Sequence, residues 1–334
     1  MPLCQDLQNL CQKIKTLQKE LVLACQEAKD LDREKLARAW KAKLAIEEER
    51  EKLEDLLTPK TISANWQNPE TGETKEITLN FKEEFKTFQK FYQEQLELEL
   101  DEKEFKRIWR KNKKEMKEEM EKYGYDQILF LPADLPQNET LNEKLIETMV
   151  ELQEGKVKET WQSNSFQAGG SWQGAQSIEK PKNRIILVHS AQNPEGHPLL
   201  KATRKKNIPD LTGLSEEEIQ RRIQNREPLG VNFEAIVENQ KKEKISVPIQ
   251  AESLSMEEYL VFQRIYFEKN QKHFDESDWI WLLKSRLSKP DKSGSRVARA
   301  GWGPHARQLY ASASDPVARG GRLGCRPSRS FSKS

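Results

Sequence analysis

The segment SGSRVARAGWGPHARQLYASASDPVARGGRLGCRPSRSFSKS, residues 293–334, decides how this chain is read. It is rich in Gly, Ala, Ser and Arg and follows neither a helical nor a strand period. Taken bare, it reads as loop or disorder. It also carries much of the chain's charge asymmetry. From Lys284 to Ser334 there are 12 Lys and Arg against two acids, Asp291 and Asp315, although the whole chain is only +2. A basic end of this kind suits an anionic partner, or is an arginine-rich folded surface.

Working outward, the 334 residues allow two domains, or one with an extension. Charged residues make up 33% and mean hydropathy is −0.88, so a long solvated helix or a disordered part is expected beside a folded core. No stretch approaches the ~18 consecutive apolar residues of a membrane span. The start, MPLCQDLQNL, lacks a basic region followed by an apolar run, so no secretory signal is expected there. A cytoplasmic, reducing setting is the expectation, with virion association as a variant of it. Cys4, Cys11, Cys25 and Cys325 form no CxxC pair, and no His lies near the first three, which argues against zinc.

Residues 3–57 read as one long helix. Leu7, Leu10, Ile14, Leu17, Leu21, Ala24, Ala28 and Leu31 alternate steps of three and four, the seam of a coiled coil. The register breaks at Lys35 and Arg38, and a shifted stripe runs through Ala39, Ala42, Ile46, Leu53 and Leu56. Cys4, Cys11 and Cys25 share one position beside the seam. The helix should end near Thr58-Pro59. TISANW and TKEITLNF around NPETGE predict a hairpin over 61–81. Phe81, Phe85, Phe88, Tyr92 and Leu96 then form a helical stripe. Asp101 with Glu104 caps the next helix, which carries Phe105, Ile108, Met116 and Met120 and ends near Gly124. Its charged run, RKNKKEMKEEMEK, has mixed signs and reads as a solvated face. Beyond Tyr125 the pattern is mixed: a strand at Ile128 to Leu131, a helix in LNEKLIETMVELQ, a loop in WQSNSFQAGGSWQGA and a strand in RIILVHS. Ser215 with Glu218, and Ser255 with Glu258, announce two more helices. The expected domains are 1–58, a coiled-coil helix; 59–124, a hairpin with amphipathic helices; and 125–334, an α+β domain.

No motif for catalysis stands out. GGSWQG (Gly169 to Gly174) lacks the Lys-Ser/Thr of a P-loop and the strand–GxGxxG–helix setting of a dinucleotide site. His189, His197, His273 and His305 are widely spaced and form no HExxH, and there is no GxSxG. Arg326 beside Cys325 could lower a thiol pKa, but Leu323 and Gly324 before it favour a packed cysteine. Asp275, Glu276 and Asp278 could hold calcium or form a solvated loop. No catalytic residue, metal ligand or cofactor is assigned.

At GRLGCRPSRSF (Gly321 to Phe331) the chain resembles the closing strand of C-type-lectin-like domains of the formylglycine-generating-enzyme (sulfatase-modifying-factor) type. Cys325, in Gly324-Cys325-Arg326, stands where an aromatic residue is usual. SLSMEEYLVFQRIYFEK resembles the family's helix, and Trp279 to Leu282 its strand into the core. Residues 293–324 resemble the hypervariable segment of variable proteins of diversity-generating retroelements, known from bacteria and phages. The resemblance covers about 245–334. GYDQILFLPADLP and NSFQAGGSW look like shared upstream features.

That resemblance implies a C-terminal C-type-lectin-like fold whose face, about 296–322, recognises variable protein or glycan ligands. Trp281 and Leu282 would hold one end of the irregular segment, and Leu323 to Phe331 the other. The ligand-binding candidates it implies are Gly303, His305, Tyr310, Ser312, Ser314, Val317, Arg319 and Gly320. The catalytic cysteine pair of formylglycine-generating enzymes has no counterpart, so no oxidase activity is expected. A homo-oligomer through the N-terminal coiled coil would add avidity. The alternative is a coiled-coil scaffold or a nucleic-acid-binding protein using the basic C-terminal region. No membrane partner is expected.

Overall fold

A computed structural model of the chain describes residues 2–27, 33–57, 60–136, 175–177, 182–192, 194–225, 227–276, 278–287, 297–303 and 308–332. The architecture is α+β and divides into two compact units, 1–60 and 61–334. The expected helix in LNEKLIETMVELQ, and the expected loop in WQSNSFQAGGSWQGA up to its last residue, lie outside the described residues.

The first unit differs from the single helix expected over 3–57. Helices α1 (Pro2–Glu27) and α2 (Arg33–Leu57) lie side by side. Lys13 Nζ donates to Glu49 Oε1 at 2.7 Å, across a sequence separation of 36. On one continuous helix those residues would stand about 54 Å apart, at 1.5 Å of rise per residue. The shifted stripe explains the fold-back. Ala39 and Ile46 are buried together with Ile14, so the second stripe serves as a partner face for the first. Leu7, Leu10, Leu17 and Leu21 remain half-buried.

In the second unit the hairpin β1 (Thr61–Gln67) and β2 (Thr74–Asn80) forms as expected, with Thr61 opposite Asn80. Ile62, Ala64 and Trp66 alternate with exposed residues, so one face is buried. Asn80 caps α3 (Phe81–Leu96), and Asp101 caps α4 (Glu102–Tyr123) by accepting from the Glu104 amide. Gly124 ends α4 in the left-handed region. The α3 stripe meets Phe130 of β3 (Gln127–Leu131). The rings of Phe81, Phe85, Phe88 and Phe105 stand edge-on to it at 5.4–5.5 Å. Tyr92 donates its hydroxyl to the Phe130 carbonyl at 2.8 Å. The core is therefore continuous across residue 124, where a domain boundary was expected.

Two larger sheets complete this unit. One has the order β3, β5 (Arg184–Val188), β12 (Pro327–Ser332), β7 (Lys244–Ser253), β6 (Val231–Glu238), with antiparallel neighbours. The other runs β10 (Gln308–Ser314), β9 (Val297–Gly303), β8 (Trp279–Leu287), β11 (Leu323–Cys325); β4 (Ala175–Ser177) also pairs with β8. Strand β11 lies parallel to β8, and the other pairs are antiparallel. Short helices α5 (Pro198–Thr203), α6 (Ile208–Thr212) and α7 (Glu216–Gln224) precede β6. Helix α8 (Met256–Asn270) opens with a capping box between Ser255 and Glu258 and packs on β8 and β9.

The C-terminal segment that reads as disorder on composition alone is thus built into both sheets. Strand β11 joins one sheet, β12 joins the other, and Arg326 is the single residue between them. No helix among the described residues is long and apolar enough to cross a membrane.

Candidate functional site

The β8–β9–β10 sheet places several sequence-derived candidates together. Register pairs Trp281 with Arg299 and Arg299 with Ser312. It pairs Tyr310 with Gly301, Gln308 with Gly303, and Ser314 with Val297. Opposed residues share a face, and every second residue along a strand returns to it. Gly303, Tyr310, Ser312 and Ser314 therefore belong to one face, which they share with Val297, Arg299 and Gly301 of β9 and Trp281 of β8; Val297, Gly301 and Trp281 are buried and Arg299 is half-buried. The intervening residues Ala298, Ala300 and Trp302 are buried. Trp302 stacks on His273 at 3.5 Å, just after α8.

The remaining candidates lie elsewhere. His305 is outside the described residues. Val317, Arg319 and Gly320 sit in the turn between β10 and β11. Val317 is 41% exposed, and its amide donates to Asp315 Oδ1. Arg319 approaches Asp210 at 3.3 Å with its side chain 65% exposed. The candidates thus separate into a strand face and an adjoining turn.

The turn is fixed by the backbone of distant elements. Pro316 accepts from the Ile208 amide, Arg322 from Trp279 and Leu323 from Lys205. Thr203 Oγ1 bridges the backbone of Cys325, accepting its N–H and donating to its carbonyl, both at 2.9 Å. Of the two stretches expected to hold the segment, Trp281 and Leu282 are fully buried; in Leu323 to Phe331, residues 323–328 and Phe331 are buried and Arg329 and Ser330 are half-buried.

The most fully bonded residue of the expected Leu323 to Phe331 anchor is Arg326, whose burial the sequence does not announce. Arg326 is wholly buried and holds Asp275 through Nε and Nη2, at 2.7–3.0 Å. Its other N–H groups donate to the carbonyls of His189, Ala191 and Gln192. Its guanidinium lies over the Phe274 ring at 4.6 Å. All parts of the fork are used, which is the condition for a buried charge to be tolerated. Asp275 is therefore a structural partner, and Asp278 is bound to Arg204 at 3.0 Å. Two of the three carboxylates that suggested calcium are committed to arginines, and no metal-holding cluster occurs among the described residues.

Arg299 was also missed. It is the single charge in VARAGWG, which could have marked it once the strand was known. It is half-buried, and its guanidinium lies 4.4 Å from the centre of the Trp279 ring. Burial lowers its pKa.

Several other groups with chemical potential in the second unit are packed away. Cys325 is fully buried, and burial pushes its thiol up to about 12, far from a nucleophile. His189 and His197 are buried against each other at 4.0 Å between Tyr125 and Trp66, and burial lowers both. Lys284 is buried between Glu258 and Glu252. Among the C-terminal basic residues, Lys284, Arg319, Arg326 and Arg329 each face a carboxylate of this chain.

No protein-family model, curated protein or solved structure matches the chain.

Proposed function

We propose that this protein is a non-catalytic ligand-binding display protein, with a C-type-lectin-like C-terminal region of the kind diversified by retroelements. Its recognition surface is the β9–β10 face with the adjoining turn, about 296–322. The observation that carries the reading is the placement of Gly303, Tyr310, Ser312 and Ser314 on one strand face. The flanking strands and turn are held by Trp281, Leu282 and the Arg326–Asp275 pair. A surface held from both sides can change its side chains without losing its backbone. The internal pairing of four C-terminal basic residues weighs against the nucleic-acid alternative, since those charges are partly neutralised within the chain.

The N-terminal helices supply the self-association surface. Leu7, Leu10, Leu17 and Leu21 are half-buried, and Val22, Leu23, Trp40 and Leu44 are exposed. Replacing Leu17 and Leu21 by Asp should lower the mass in light scattering, and an unchanged mass removes that role. The setting is a reducing cytoplasm or a virion, without a membrane partner.

The display reading is tested with a library randomised at Gly303, Tyr310, Ser312 and Ser314. Most members should unfold within a few degrees of the parent, and some should bind new proteins or glycans. General loss of folding across the library overturns the reading. A nearby near-repeat of the 3′ coding sequence, differing only at adenines, would support it at the level of DNA.

A further inference from the structure

Arg299 holds an unusual position for an arginine. It sits in the middle strand of the proposed recognition face, half-buried, on the Trp279 ring. Among the described residues its Nε has no hydrogen-bond partner and the guanidinium makes no ion pair. Across the strands it faces Ser312 on one side and Trp281 on the other, and neither residue is an acid. Arg326, Arg319 and Arg329 in the same C-terminal region all meet carboxylates. Its Nε has lost water and gained no acceptor, while the rest of the guanidinium is not fully buried, so a carboxylate brought to it would supply the hydrogen-bond acceptors and counter-charge this chain does not.

Two further observations narrow the anion. Among the described residues of this face and turn, Arg299, Arg319 and Arg322 stand against Asp315, with Arg319 partly offset by Asp210, which leaves a positive balance that favours an acid. Among the described residues β10 has β9 as its one neighbour, which leaves a sheet edge where an extended chain can add its own backbone hydrogen bonds. A strand added there lies about 10 Å from β9, two strand spacings away. An arginine and a glutamate reaching toward each other span that distance.

We infer that Arg299 is the anchor for an acidic peptide, which lies extended along β10 and sets an Asp or Glu carboxylate on the guanidinium. The inference deepens the display reading and rests on it for access to this face. Diversified neighbours would choose among partners, and the arginine would hold the feature common to them. Trp279 keeps the guanidinium plane fixed, so little rotamer freedom remains to be lost on binding.

The test uses the full-length protein labelled with 15N in arginine and follows the Arg299 Nε–H resonance. The probes are a Glu-rich decapeptide, its Gln-rich counterpart, polygalacturonate and a short DNA duplex. The Glu peptide should shift the resonance, and the Gln peptide should not. Arg299→Gln should weaken Glu-peptide binding at least tenfold, and Arg319→Gln less than twofold. If the Arg299 variant fails to fold, the wild-type resonance still decides. An unmoved resonance overturns the inference, as does equal loss in the two variants, or a shift produced by polygalacturonate or DNA and not by the Glu peptide. The display reading fails separately. Library binders that never need Arg299 sink the anchor and leave display standing. Arg299-dependent peptide binding beside a library without binders does the reverse.

Discussion

Helix α1 repeats leucine every three or four residues, yet most of that stripe is only half-buried. Strands β9, β11 and β12 follow no period, yet Val297, Ala298, Ala300, Leu323, Cys325 and Ser328 are all buried, as is Arg326 between β11 and β12. The difference lies in where each region finds its partners. A helix satisfies its backbone internally, and a stripe on one side shows that a partner is wanted without saying which. The C-terminal strands satisfy their backbone from β5, β7 and β8, and their side chains from α8 and the turns before β6. Periodicity reports local order, and burial here follows from pairing over long distances in sequence.

The most severe way to break this comparison is at the Arg326–Asp275 pair. Asp275→Ala leaves a guanidinium buried without its counter-ion, at a cost of about 3–5 kcal/mol. Chemical denaturation should show that loss. Hydrogen exchange should show amides of 297–332 losing protection while α1 and α2 keep theirs. The double change Asp275→Leu with Arg326→Met should recover part of the loss, because it removes both charges. A single-variant loss below about 1 kcal/mol would mean the strands are held by something else.

What was legible follows the same division. The hairpin at 61–80, the α3 stripe, the caps at Asp101, Ser215 and Ser255, and the stop at Gly124 were all visible, because each depends on residues within a few positions. The fold-back of the N-terminal helices was not, because a register break is compatible with a kink, a stutter or a turn. The β6–β7 hairpin, with polar residues at many positions, was not among the expected elements. At the candidate site Trp281 and Leu282 were legible in the apolar run Trp279 to Leu283, and Leu323 only through the resemblance of GRLGCRPSRSF to a closing strand. Arg326 was legible as part of the closing segment but not as a buried charge, since a buried arginine looks like a surface one until Asp275, 51 residues away, is placed beside it.

A milder perturbation acts through pH, on the second unit alone. Burial lowers His189 well below its ordinary value and His197 to about 4, from 6.5. Both are neutral in the fold, so below pH 6.5 the unfolded chain binds the extra protons. Stability is therefore complete above pH 6.5 and falls as pH drops toward 4, where His197 protonates in the fold as well. Between pH 7.5 and 5 the loss should be about 2 kcal/mol for His197, with His189 adding in the same direction. His197→Asn keeps a side chain able to cap α5 and should reduce the dependence. Equal denaturation midpoints at the two pH values would show that these rings are not held neutral.

Glycines sharpen the comparison within one strand. A Cβ at Gly301 would run into the backbone carbonyl of Asp278, where strand and loop meet. Gly301→Ala should therefore cost about 1–3 kcal/mol. Gly303, at the end of the same strand, should accept side chains if it belongs to the diversified set. Comparing thermal midpoints of the two alanine variants separates a position that fixes the backbone from one that decorates it. If both melt alike, the strand face has no such division.

The smallest effect is expected at Arg319. Its pair with Asp210 is 3.3 Å long and largely exposed, and ion pairs of that kind contribute well under 1 kcal/mol. Arg319→Ala should leave the denaturation midpoint unchanged within error. Ligand association should still slow at low salt, because the turn beside the face loses a positive charge. Raising the ionic strength should erase that difference, whereas it would leave a direct contact at Arg299 weakened but present. An Arg319 variant that unfolds like Asp275→Ala would mean that exposed and buried arginines carry the fold alike. The contrast between a buried, fully paired arginine and an exposed one would then be lost.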